Sequence, residues 1–330
     1  MKKIVSLLLT VCTAAVCLIG CGGTNAVTET KSESTSEEKT YKVAMISDSS
    51  ISDGGWGAAC YNAMISAAKE KGFETQYSDG LETADFASSM RSYADLGYDM
   101  IFAPGNQYSD AVKEVAADYP DVHFALLNGT IESDNVVSIL PDAKQIGYMA
   151  GAFAGLMSKT NNIGFIGGME LDTTKAKLSC YEAGAKAVNP AITVSSAYAG
   201  SFSDTAKGME IANTMINTNN VDVMFGDASA VDSGARQALA SHEKTYDIGQ
   251  PSDLADTDTT VVFSVVTDNA TMIKICMDDI KNGTFGNKTI YGNLENGSLS
   301  VGKFSDKVPD DVKTKYLEIV DKIKDNTFIK

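Results

Sequence analysis

The chain is poor in the groups from which catalytic centres are usually assembled. It has two histidines and one tryptophan in 330 residues. His123 lies in an apolar, strand-like run and His242 near the end of a helical one, so neither is placed for a Ser-His-Asp or Cys-His site. No G-x-x-x-x-G-K-[ST] occurs, which removes a nucleotide-hydrolysing P-loop. The first strand run is followed by Ser47 to Trp56 in place of G-x-G-x-x-G, with Asp48 and Asp53 where a pyrophosphate requires backbone amides. Only six prolines accompany 28 glycines and a 44% hydrophobic content, which excludes collagen and a disordered chain and leaves a globular protein large enough for two domains. Basic residues are also in deficit, 27 against 43 acidic, for a net charge of -16. Such a chain repels a phosphate backbone, so no nucleic-acid partner is expected.

Cysteine is sparse as well, with no metal-ligand spacing. Cys12 and Cys17 fall in an amino-terminal apolar run, and Cys60, Cys180 and Cys276 are far apart, as expected for buried free thiols. The sixth, Cys21, has a different setting. Lys2 and Lys3 precede an apolar stretch from Ile4 to Ile19 that is too short for a comfortable membrane span, and Leu18-Ile19-Gly20-Cys21 resembles the bacterial lipobox. Residues 1–20 are therefore expected to be a cleaved signal, with Cys21 lipidated and holding the protein on the outer face of the cell membrane. Residues 21–40, rich in Thr, Ser, Glu and Lys, read as a solvated tether.

From Tyr41 onward short apolar runs alternate with helical stretches. Strands are predicted at Lys42 to Ile46, Phe73 to Tyr77, Met100 to Ala103, Val122 to Leu127, Asn162 to Ile166, Thr193 to Ala197, Val221 to Phe225 and Thr260 to Val265. Between them lie Ala-rich stretches of helical period, such as Ala58 to Lys71, Ala84 to Leu96, Ser109 to Tyr119 and Thr205 to Asn217. The alternation predicts an α/β protein, and it runs twice, giving two doubly wound parallel-sheet lobes. Ligands of such sheets bind beyond the carboxyl ends of the strands, which singles out the loops directly after each strand.

Those loops hold groups suited to a small polar ligand with a flat face. Trp56, Tyr108 and Phe202 are candidates to stack on a ring, and Gly54, Gly55, Gly105, Gly167 and Gly168 to let backbone approach it. Polar contacts are expected from Asp48, Ser49 and Asp53 in the first loop, from Asn106 after the third strand, and from Asn128 after the fourth. In the second half Met169, Asp227, Gln250 and Thr267 complete the predicted site. Asp48, Asp53, Asp227 and Asp232 also offer carboxylate pairs of the kind glycosidases use.

The run from Gly105-Asn106-Gln107-Tyr108-Ser109-Asp110-Ala111 to Tyr119-Pro120-Asp121-Val122-His123-Phe124 resembles the basic membrane protein family. So do Ile163-Gly164-Phe165-Ile166-Gly167-Gly168-Met169, Tyr181-Glu182-Ala183-Gly184-Ala185-Lys186 and Gly200-Ser201-Phe202-Ser203-Asp204. That family comprises lipoprotein substrate-binding components of ABC transporters, among them purine nucleoside receptors. The resemblance implies the type I periplasmic binding-protein fold, with three segments crossing near Leu140 to Asp142, Ser264 to Asp268 and Tyr291 to Leu299. Lobe 1 would then hold residues 41–140 and about 266–291, and lobe 2 about 141–265 and 292–330. It also implies that Trp56 and Phe202 sandwich a base, and that Asp110 is the family's acidic residue of the Gly-x-x-Tyr-x-Asp loop. Where nucleoside receptors carry an aspartate for the ribose, this chain reads Gly249-Gln250-Pro251-Ser252-Asp253. Thr267 stands in place of a lysine, and Gly57 in place of an asparagine. Either Asp227 or Gln250 substitutes for the lost groups, or the ligand is a sugar or another small polar molecule.

The expected function is therefore non-enzymatic, cofactor-free capture of a small polar ligand, a nucleoside first, by a monomer that delivers it to a separate ABC permease and ATPase. A surface glycosidase using cleft aspartates and a sensor controlling a membrane kinase are the alternatives.

Overall fold

The computed structural model describes residues 39–52 and 56–324. The expected signal, Cys21, nearly all of the tether, and Asp53, Gly54 and Gly55 of the first loop lie outside these residues. The chain from Thr40 forms one unit built on two six-stranded sheets.

The first sheet is founded on strands whose residues are almost all apolar and buried: β1 (Tyr41–Ile46), β3 (Met100–Ala103) and β4 (His123–Leu127). Continuous apolar runs of this kind suit central strands covered on both faces. β2 (Phe73–Ser78, FETQYS) is largely polar and exposed, and it takes the edge. The order is completed by β5 (Val136–Pro141) and β11 (Lys288–Gly292), giving β11-β5-β4-β3-β1-β2, all parallel. Alternate side chains of β1 face opposite cores. Val43 and Met45 meet α1 (Trp56–Lys71) and α8 (Asn269–Asn282), while Ala44 and Ile46 meet α2 (Phe86–Asp95) and α3 (Ser109–Asp118).

The second sheet repeats the plan with order β12-β10-β9-β8-β6-β7. β6 (Asn162–Gly167), β8 (Val223–Asp227), β9 (Tyr246–Gly249) and β10 (Val261–Thr267) are central, and the polar β7 (Thr193–Tyr198) is the edge. Only β12 (Leu299–Val301) runs antiparallel, against β10. One face carries α6 (Thr205–Asn219) and α7 (Ala230–Ala240); the other carries α4 (Ala143–Met157), α5 (Asp172–Val188) and α9 (Asp310–Lys324).

The pairing of α4 with α5 is unusually close, and the sequence explains it. Gly147, Gly151 and Gly155 recur every fourth residue along one face of the buried α4. A Cβ at 147 would lie 2.2 Å from the Lys177 carbonyl oxygen, and one at 151 would lie 1.9 Å from that of Tyr181. From α5, a Cβ at Gly184 would lie 2.4 Å from the Tyr148 carbonyl. Missing Cβ atoms let the two backbones touch, which fixes the position of α5 and of Lys177 on it.

Three segments cross between the lobes. β5 leads at Pro141 into α4, β10 leads at Thr267 into α8, and the third connects β11 to β12. They lie side by side, with Asp142 N–H donating to the Gly292 carbonyl at 2.8 Å and Asp268 N–H to that of Ser298 at 2.8 Å. The Asp142 and Asp268 carboxylates also cap the helices that follow, accepting from Lys144 and Gln145 N–H and from Ala270 N–H. The first two crossings thus end in capped helix starts, while the third runs from strand to strand.

Candidate functional site

An open cleft with a volume of about 330 Å³ lies between the lobes, beyond the carboxyl ends of the strands. It adjoins a second chamber of about 440 Å³ that shares Asn128, Pro141, Lys177, Phe202 and Asp227. This size falls in the range of small-molecule sites, roughly 300–1,000 Å³.

Lobe 1 contributes Trp56, the first residue of α1, 37% exposed. Its indole N–H donates to the Pro104 carbonyl at 2.6 Å, which satisfies the polar edge of the ring and ties it to the loop after β3. Asn128, directly after β4, adopts φ 60°, a left-handed conformation that Asn tolerates, and borders both chambers. From lobe 2 comes Phe202, 42% exposed. Its carbonyl accepts from Ala230 N–H at 3.0 Å, and its ring lies so close to Gly168 that a Cβ there would fall 2.4 Å from it. Each lobe thus presents one anchored, partly exposed aromatic to the same cleft.

Below Phe202 is a polar cluster centred on Lys177. The ammonium donates to Asp227 Oδ1 at 2.6 Å and to Gln250 Oε1 at 3.2 Å. The Gln250 amide nitrogen donates to the Gly226 carbonyl and, at 3.3 Å, to Asp227. Thr267 closes this side, its N–H donating to the Pro251 carbonyl at 2.8 Å. On α7, Arg236 also borders the cleft, but its guanidinium turns to Asp258 at 3.0 Å and Asp247 at 3.5 Å. Burial raises the Asp247 carboxyl to about 8, opposed by the charge of Arg236. Asp232, one turn before Arg236, accepts from Ala228 N–H at 3.0 Å through one oxygen, and burial raises its carboxyl to about 7. Ser229, at the head of α7, has φ 56° and ψ -116°, a conformation rare for any residue but glycine, and its side chain does not cap the helix.

The cleft therefore gathers Trp56, Asn128, Phe202, Asp227, Gln250 and Thr267, with Asn106 in the second chamber. Other predicted positions do not line it. Asp48 is held within the first loop, accepting from the Tyr108 hydroxyl at 2.8 Å, from Gln107 at 3.0 Å and from Ser49 at 3.2 Å. Gly105 makes room for the Gln107 side chain, which would lie 2.1 Å from a Cβ there. Asp110 is exposed in the first turn of α3, where it favours the helix dipole, and Met169 projects to solvent outside the cleft. Tyr108 is not a stacking residue: it is 0% exposed, with its ring 4.5 Å from that of Phe86. Lys177 and Arg236 lie within helices, which a search confined to loops after strands does not reach. Asn269, beside the capping Asp268, is a further lining residue outside the predicted set.

The family described as Bmp, ABC transporter substrate-binding protein PnrA-like, matches residues 40–329. The ABC transporter nucleoside-binding protein BmpA of Lactococcus lactis is 31% identical over 285 residues, covering 79% of this chain and 81% of that one. Among solved structures, an ABC transporter solute-binding protein from Conexibacter woesei superposes with a TM-score of 0.72 at 25% identity, covering 87% of this chain and 97% of that one. A transcriptional activator of comK from Bacillus halodurans shares the fold, with a TM-score of 0.78 at 22% identity over 88% of this chain and 100% of its own. Two doubly wound lobes, three crossings and a cleft between them agree with these matches, and the chain belongs to the Bmp family of PnrA-like ABC transporter substrate-binding proteins.

Proposed function

We propose that this chain is an extracytoplasmic lipoprotein that captures a small polar ring compound, a nucleoside first, between its lobes and delivers it to an ABC permease. The observation that carries this reading is the placement of Trp56 and Phe202, one from each lobe, on a single cleft with the Lys177–Asp227–Gln250 cluster beside them. Aromatic faces bind a flat ring while hydrogen-bonding groups take its hydroxyls and amines. Asp227 and Gln250 are the groups we assign to ligand hydroxyls. The name of the Lactococcus relative supports a nucleoside over a sugar. The family role implies a permease as partner, and Cys21 is the anchor we assign. A glycosidase needs two carboxylates free across one substrate position, whereas Asp48 is engaged in its loop and Asp227 with Lys177.

Trp56 is the only tryptophan, so its emission reports on the cleft. Titration of the purified chain with nucleosides, bases and monosaccharides should give a saturable shift for nucleosides. Loss of one stacking face in Phe202→Ala should weaken binding by about 1–3 kcal/mol, roughly 5- to 150-fold. Saturation by sugars alone would contradict the nucleoside assignment.

A further inference from the structure

Two residues that line the cleft each carry a side-chain oxygen with no partner among the described residues. One is Asp232 Oδ1 on α7, shut off from solvent while the other carboxylate oxygen takes the Ala228 N–H. The second is Asn269 Oδ1, at the start of α8 on lobe 1. Both residues line the same chamber. A buried polar atom left without a partner is costly, and such atoms in native proteins call for an explanation.

The neighbouring cations do not supply one. Lys177 on α5 is committed to Asp227 and Gln250, and Arg236, although one turn along the same helix, is committed to Asp247 and Asp258. Room for the carboxyl in this position is built in at β8: a Cβ at Gly226 would lie 2.0 Å from Asp232 Oδ1 and would push the carboxyl aside. The Asn269 amide can turn either end towards a ligand, whereas an ionised carboxylate only accepts. Asp232 therefore sets the polarity of the pair.

We propose that Asp232 and Asn269 form a subsite that reads an amino group on the ligand, so that among otherwise matched ring compounds the cleft prefers the one bearing an exocyclic amine. This rests on the nucleoside reading above and narrows it. A site built to pair with a ligand N–H rejects the analogue lacking it, because its own polar group is then left unpaired. The preference depends on ionisation. Burial above all, and with it Asp227 from β8, favours the protonated carboxyl, while the Ala228 N–H, Arg236 and Lys177 favour the ionised one, and the balance lies at about 7. Above that pH the carboxylate accepts from an amine; below it the added proton competes with the amine.

The test is calorimetric titration of the full chain with two pairs that differ only by an amino group in place of hydrogen, adenosine against purine riboside and guanosine against inosine. At pH 8 the amine-bearing member of at least one pair should bind tenfold or more tightly, and the ratio should shrink at pH 6. In Asp232→Asn, the Ala228 N–H retains the amide oxygen and the new –NH2 faces the ligand, so the preference should vanish or reverse. If that variant does not fold, the change in ratio with pH in the unaltered chain decides. Ratios below tenfold in both pairs at pH 8, or a preference unchanged by Asp232→Asn or by pH, would overturn the subsite and leave the nucleoside reading standing. Absence of binding by all four compounds would overturn both.

Discussion

Asp232 and Asp247 hold their protons far above the ordinary carboxylate value of 3.8, to about 7 and about 8. Between pH 4 and 8 the unfolded chain has released these protons while the folded one retains them. The folded state then binds more protons, and the unfolding free energy falls as pH rises through this window. Their contribution is fully present below about pH 4 and is lost by about pH 8. Urea denaturation should show higher stability at pH 5 than at pH 8, and Asp232→Asn should flatten the dependence by on the order of 1–3 kcal/mol. An unchanged slope would mean that the carboxyl ionises in the folded chain as it does in the unfolded one. Ser229 is a second strained feature of the same wall. Its φ of 56° with ψ -116° suits glycine, so Ser229→Gly should stabilise the chain by about 1 kcal/mol, read from the urea midpoint. Both features concentrate local cost at the cleft, where binding has something to gain from it.

At the scale of elements, the packing of α4 on α5 determines where Lys177 stands. Gly151→Ala would drive a Cβ to 1.9 Å from the Tyr181 carbonyl, and the helices would have to separate. Overpacking of this kind should cost about 1–3 kcal/mol or more. Ligand affinity should fall with it, because the Lys177–Asp227 pair spans α5 and β8; a variant with unchanged stability and affinity would contradict the close contact. The elements also show what the sequence makes legible. Strands such as MIFA of β3 and FALL of β4 are buried on both faces and announce themselves as apolar runs. The predicted strands omit β5, β9, β11 and β12: YDIG and KTIYG mix polar with apolar residues and LSV has only three, whereas VVSILP of β5 is an apolar run missing from the predicted set. Loop position after a strand found Trp56, Asn128, Phe202 and Asp227, but it gives only the end of the sheet and not the direction of a side chain. Asp48 satisfies the rule and points elsewhere, Asp110 rests only on the family resemblance and stands in α3, and Lys177 and Arg236 reach the cleft from helix interiors. Asn269 had a local signal in the capping Asp268, which marks a helix start at the crossing.

Over the whole molecule, three neighbouring crossings allow the lobes to move as bodies while the two cores stay intact. Under the proposed function, a ligand bridging Trp56 on lobe 1 and Phe202 on lobe 2 would gain contacts as the lobes approach, which would couple binding to closure. Small-angle scattering should then report a smaller radius of gyration for the liganded chain than for the free one. Such coupling would give the permease of this substrate-binding family a surface that differs between empty and loaded receptor. The most direct test of capture in the cleft is calorimetric titration of the chain with adenosine, repeated with Phe202→Ala. The account expects a saturable one-to-one isotherm weakened at least fivefold by the substitution. A flat isotherm, or an affinity indifferent to Phe202, would contradict it.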